Sequence, residues 1–277
     1  MRTNIDFSIV QKRALHLRKR TQNFQSELVR VFSDENSTIK TEFLNERRIC
    51  NVDLSWVVAP DLDQFSIEFH EIINGHRAIL DNLIFLIANG SSPKLTKKQK
   101  RQLSFPLFRT VSGWEKGNAT MDLLRAQCDP KFLELIKHLQ PFRSNVNFEN
   151  GQNSQNPLLL LHELDIAGKH HVPKIVISKL NTLKVNAEIL FFSEEETDVP
   201  SCELFGDAIL SGGIIQTFTS TFPIKKIGCR IDFAGFLGID DFNLLELLGS
   251  FEVLTETVVL NFIGFNDLED WESPEQL

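Results

Sequence analysis

The stretch from Phe65 to Gly90, FSIEFHEIINGHRAILDNLIFLIANG, constrains this chain more than any other. Phe65, Phe69, Ile72, Ile73, Leu80, Leu83 and Ile87 recur at the helical period over about six turns, which predicts one long helix. An apolar face of that length has to be covered by other elements. The pattern therefore predicts the central helix of an N-terminal helical bundle. Asn89-Gly90 predicts its end, because both residues tolerate the left-handed conformation that terminates helices.

Other segments extend this reading. Val10, Ala14, Leu17, Phe24, Leu28 and Val31 form one stripe and predict a first helix from about Phe7 to Phe32. Its Arg13, Arg18, Lys19 and Arg20 are either a solvated face or an RNA-binding stripe. Residues 39–58 show a mixed pattern, read as an extended excursion ending at Ala59-Pro60. Lys94, Lys97, Lys98, Lys100 and Arg101 make the densest positive cluster, a solvated loop or a phosphate site. Phe105-Pro106 argues against helix at that point. Asp129-Pro130 opens a further helix that ends before Pro141. Residues 144–156, SNVNFENGQNSQN, predict a flexible loop. Pro157 restarts a helix, expected to end near Gly168.

From Val172 the hydrophobic period changes from 3.6 to 2, and five segments up to about Phe236 read as strands. Residues 221–225 read as a turn. Asp241 or Asn243 is positioned to cap a closing amphipathic helix that Gly264 ends. The predicted fold class is α+β: an N-terminal helical bundle over residues 1–170, then a small domain over 171–277 with a mostly antiparallel sheet covered by a C-terminal helix.

A chain of 277 residues is long for one core and comfortable for two. The net charge of −8 argues against binding nucleic acid over the whole surface, while leaving local basic patches open. Cys50, Cys128, Cys202 and Cys229 form no CxxC pair, so no metal site is expected and reduced thiols in the cytoplasm are. No signal peptide, transmembrane span or membrane association is expected either. No glycine-rich phosphate loop, GxSxG or HExxH occurs, and no cofactor is implied.

The order of motifs resembles a group of uncharacterised bacterial proteins. It runs through Ala14-Leu15-His16-Leu17, residues 73–88 (INGHRAILDNLIFLIA), Phe105-Pro106, Leu139-Gln140-Pro141 and Gly168-Lys169-His170-His171. The Arg–four residues–His core of that group is similar to the HEPN helical proteins. Many of those are metal-independent RNases of toxin and defence systems, in which Arg and His meet across a dimer interface. The resemblance implies Arg77 as the arginine, homodimerisation through the helical bundle, and RNA or a nucleotide as ligand. The motif histidine is replaced by Asn82, which cannot exchange a proton at neutral pH. Gly168 stands where the group has Asp.

The candidate catalytic residues are thus Arg77, His76 and Asn82. His76 is expected to point about 100° away from Arg77, toward the apolar face. His70, Arg77 and Asp81 share a flank stripe, and His70 and Asp81 join Lys169, His170 and His171 as candidate binding residues. Arg77 can grip a phosphate bidentately, or it can form an ordinary i,i+4 ion pair with Asp81. Whether the protein is an enzyme stays open at this level. The alternative is a non-enzymatic interaction or dimerisation protein with a protein partner.

Overall fold

The computed structural model describes residues 5–33, 35–90, 95–143, 156–170, 176–177, 188–192, 200–205, 212–228, 237–239 and 242–267. The fold is α+β, with antiparallel strands and a long C-terminal helix. Two compact units are built from interleaved segments. The helical unit takes Met1–Gln22, Ile67–Pro173 and Leu248–Leu277, and the strand unit takes Asn23–Ser66 and Lys174–Leu247.

Helix α1 (Ser8–Val31) and helix α2 (Leu62–Asn89) follow the expected apolar stripes. The Asp61 carboxylate accepts the Gln64 N–H at 2.9 Å and so caps α2. In the helical unit Phe69, Ile72, Ile73, Leu80, Leu83 and Ile87 are at most 1% exposed, so the central helix is covered along its length. A Cβ added to Gly75 would come within 2.7 Å of Leu17 Cδ1, so α1 and α2 approach closely there.

The rest of this unit comes from short helices. The basic α3 (Lys97–Gln102) starts on a Thr96–Gln99 capping box. Helices α4 (Val111–Lys116) and α5 (Ala119–Gln127), which hydrophobic periodicity leaves unmarked, begin on the side-chain oxygens of Thr110 and Asn118. Helix α6 (Pro130–His138) starts on Asp129 as expected. Helix α7 (Pro157–His170) starts on Asn156 and ends two residues beyond Gly168. Residues 144–155, the expected flexible loop, lie outside the described residues. The last helix, α8 (Leu244–Asp267), is capped by Asn243, whose Oδ1 accepts the Leu245 and Glu246 N–H groups. It continues past Gly264. By length and composition α8 could cross a membrane, at a mean hydropathy of 1.4. In the helical unit it buries Phe251, Val258, Val259 and Phe262, and Phe262 stacks on Phe132.

The strand unit contains a feature the sequence shows only dimly. Residues 37–56 form a β-hairpin, β1 (Ser37–Leu44) and β2 (Ile49–Trp56). It lies inside the segment expected to be a helical bundle, and its strands share a sheet with strands about 150 residues downstream. That sheet has the order β1-β2-β6-β5, with β5 at Ser201–Leu204 and β6 at Gly213–Thr219. Cys50, Val52 and Leu54 of β2 are fully buried in alternation, the pattern of an inner strand with one core face. Asn36 ties the hairpin to the end of α1: its Nδ2 donates to the Val31 and Val58 carbonyls, and its Oδ1 accepts the Val58 N–H.

A second pair joins β4 (Glu188–Phe191) to β7 (Ile224–Gly228). Strand β7 begins on residues read as turn, because Ile224 and Ile227 are both buried. Short strands β3 (Val176–Ile177), β8 (Leu237–Ile239) and β9 (Phe242–Asn243) make a third sheet.

Candidate functional site

Three of the sequence motifs meet at one irregular segment of the helical unit. Residues 103–110 form neither helix nor strand, so their backbone groups need side-chain partners. Arg77 and Asp81, one turn apart on α2, supply them. Arg77 Nη2 donates to the Phe105 carbonyl at 2.7 Å and lies 3.2 Å from Asp81 Oδ1. That same Oδ1 accepts the Phe105 N–H at 2.7 Å. The ion pair therefore clamps both backbone polar groups of one residue, which is itself 1% exposed.

The next residues are held from the other side. Pro106 has no N–H, and its carbonyl accepts from Gln140 Nε2 at 3.0 Å. Gln140 Oε1 accepts the Phe108 N–H at 2.8 Å, and Nε2 also reaches the Ile136 carbonyl. Gln140 is 1% exposed. The Phe-Pro and Leu-Gln-Pro motifs are thus two parts of one polar knot.

Helix α7 adds a third part. Asp165, 3% exposed, accepts from Lys169 Nζ at 2.7 Å. Glu163 is ion-paired with Arg109. On α2, His70 Nε2 and Asn74 Nδ2 are 3.0 Å apart. His70 lies so close to Gly168 that a Cβ there would sit 1.8 Å from its Cε1. Any side chain at position 168 would have to displace the His70 ring, a physical reason for glycine at this point of the motif. The sequence shows the departure at Gly168 without showing this cause. Gln140 belongs to the Leu-Gln-Pro motif, but the sequence does not show that its amide serves the Phe-Pro segment.

The electrostatics of the knot are balanced. Arg77 and Lys169 face Asp81 and Asp165. Burial raises the Asp81 carboxyl above its ordinary range, against the opposing pull of Arg77 and the Phe105 N–H. Burial lowers the His162 imidazole, and the charges of Arg77 and Lys169 lower it further, so it is neutral near pH 7. Arg77 Nη1, His70 Nδ1 and His162 Nδ1 are buried and have no hydrogen-bond partner among the described residues.

The candidate residues separate into three groups. Arg77, Asp81, His70 and Lys169 belong to the knot. His76 does not join them. It is 2% exposed, its Nδ1 lies 2.8 Å from Thr255 Oγ1, and it sits beside the Phe251 ring. Burial lowers its pKa to about 4, so it is a neutral core histidine, on the apolar side that the helical angle predicts. Asn82 is half-buried, and His170 is the last residue of α7. His171 lies outside the described residues.

Among the described residues no group of three or more His, Cys, Asp and Glu side chains is arranged to hold a metal ion. A hollow of about 410 Å³ lined by Ile5, Phe7, Gln11, Ile263 and Asn266 contains none of the candidate residues. Comparison with protein-family models, curated proteins and solved structures finds no match to the chain.

Chemically, the knot can hold a loop in place. Cleaving RNA would require a scissile phosphate to reach a guanidinium that is only 6% exposed and already hydrogen-bonded to protein.

Proposed function

We propose that this chain is a HEPN-like cytoplasmic protein of a bacterial defence or toxin system, and that its helical unit binds RNA or a nucleotide without cleaving it. The observation that carries the non-cleaving part is the commitment of Arg77 to Asp81 and the Phe105 carbonyl at 6% exposure. With Asn82 in the position of the motif histidine, the pair that would move protons and stabilise a phosphorane is incomplete. The motif order supports the family reading. The Lys169 side chain is 61% exposed and its Nζ, ion-paired with Asp165 at 2.7 Å, still offers donors to a phosphate.

A second reading is a non-enzymatic interaction protein. Solvent-facing Val253 and Leu260 on α8, 65% and 64% exposed, favour it.

The test is incubation and titration of purified protein with labelled mixed-sequence RNA and with nucleotides, for wild type, Arg77→Ala and Lys169→Ala. The expected outcome is no cleavage by any form, and salt-sensitive binding weakened by Lys169→Ala. Cleavage lost in Arg77→Ala overturns the non-cleaving claim. No binding of any of these ligands overturns the ligand claim and leaves the interaction reading.

A further inference from the structure

We propose that the outer edge of β1 is a self-association surface, on which a second copy of this chain adds its own β1 antiparallel across a two-fold axis at Thr41. This goes beyond the proposed function and concerns the strand unit alone. Among the described residues β1 is an edge strand: β2 pairs with all eight of its residues on one side, and no strand lies on the other. An edge of that length presents unpaired N–H and C=O groups to any extended segment that approaches. The face that carries Thr38, Lys40, Glu42 and Leu44 is exposed, and on the other face Thr41 is exposed while Ser37, Ile39 and Phe43 are half-buried.

The sequence of the edge commits it to one occupant. With the axis at Thr41, Lys40 of each copy lies opposite Glu42 of the other, twice over. Ile39 lies opposite Phe43, also twice. Side chains alternate along a strand, so both charged pairs fall on one face and both apolar pairs on the other. Shifting the pairing by one residue places Lys40 or Glu42 opposite Thr41, and shifting it by two places like charge against like. The charge match therefore belongs to this register. An isologous contact has to be self-complementary in this way.

The strand is also held ready. Arg47, at the end of the β1–β2 turn, lies 3.8 Å from the centre of the Phe43 ring and donates to the Ile224 and Lys225 carbonyls at 2.8 and 2.7 Å. Pairing would merge two four-stranded sheets into one. Lone edge charges can instead serve to keep strands apart. That role needs no match between positions 40 and 42.

Sedimentation velocity on the full chain tests this. Wild type is expected to form dimers at protein concentrations of about 100 µM, as for a small interface. Glu42→Lys should weaken dimerisation by roughly tenfold or more, because each Lys40 then faces a lysine. The double reversal Lys40→Glu with Glu42→Lys should restore it to within about threefold of wild type. Thermal unfolding of Glu42→Lys should match wild type, since position 42 faces Asn51 within the chain. A monomer at all concentrations, or a dimer indifferent to Glu42→Lys, overturns the proposal.

Discussion

At the scale of single residues, two positions make opposite demands on the same kind of element. Gly168 lies inside α7, where alanine is intrinsically preferred by about 1 kcal/mol. His70 occupies the space a Cβ would need. Gly168→Ala should therefore lower stability by about 1–2 kcal/mol, because overpacking outweighs helix propensity. A Cβ added to Gly249 on α8 would meet nothing within 4 Å, so Gly249→Ala should stabilise by roughly 0.5–1 kcal/mol. Denaturant unfolding of the two variants side by side checks the pair, and equal signs would contradict the packing account.

His76 makes a pH prediction. Its folded pKa of about 4 lies below the ordinary value of 6.5, so the unfolded chain binds the proton more readily between those values. The stability it contributes is present above about pH 6.5 and lost as pH falls toward 4, by roughly 2–3 kcal/mol. His162 shifts in the same direction. Asp81 works the other way: its raised carboxyl favours the folded state at low pH, and that contribution disappears as pH rises through its folded pKa. His76→Asn should flatten the fall between pH 6.5 and 4 in unfolding measured against pH. An unchanged profile in that variant would show that the buried imidazole is not its source.

At the scale of elements, legibility followed periodicity and caps. Helices α1, α2, α6, α7 and α8 were readable because each combines an apolar stripe with a capping residue or proline. Helices α4 and α5 were not: α4 has six residues, and α5 buries only Thr120, Met121 and Leu124, so neither shows an apolar stripe. Residues 39–58 were readable as extended, but the β1–β2 hairpin within them was not, for two reasons. Its turn, Asn45-Glu46-Arg47, uses three consecutive left-handed residues (φ 48, 51 and 65°) without glycine, so the usual turn signal is missing. The β1 strand has only Ile39 and Phe43 as apolar residues on its half-buried face, with Thr41 between them and Leu44 on the exposed face, so its alternation is too short to stand out. Strand β7 was obscured by Lys225 and Lys226, which are exposed between the buried Ile224 and Ile227.

At the scale of the whole molecule, the chain returns repeatedly to places that sequence distance separates. The hairpin at 37–56 pairs with β6, and Arg47 reaches carbonyls 177 and 178 residues away. In the helical unit the knot joins α2, the Phe105 segment, Gln140 and α7. Of the residues singled out in the sequence, Arg77 and Asp81 hold this loop, while His76 packs in the core beside Phe251. What the sequence could not supply was their relation, because hydrogen bonds to a loop backbone leave no trace in side-chain pattern. The central claim is that Arg77 holds this loop, and it makes the Phe105 amide a direct reporter. Hydrogen exchange at that amide should be strongly protected in wild type and should accelerate on the order of a hundredfold in Arg77→Ala, where the clamp loses its cation. Rapid exchange in wild type, or equal protection in the variant, would contradict the account.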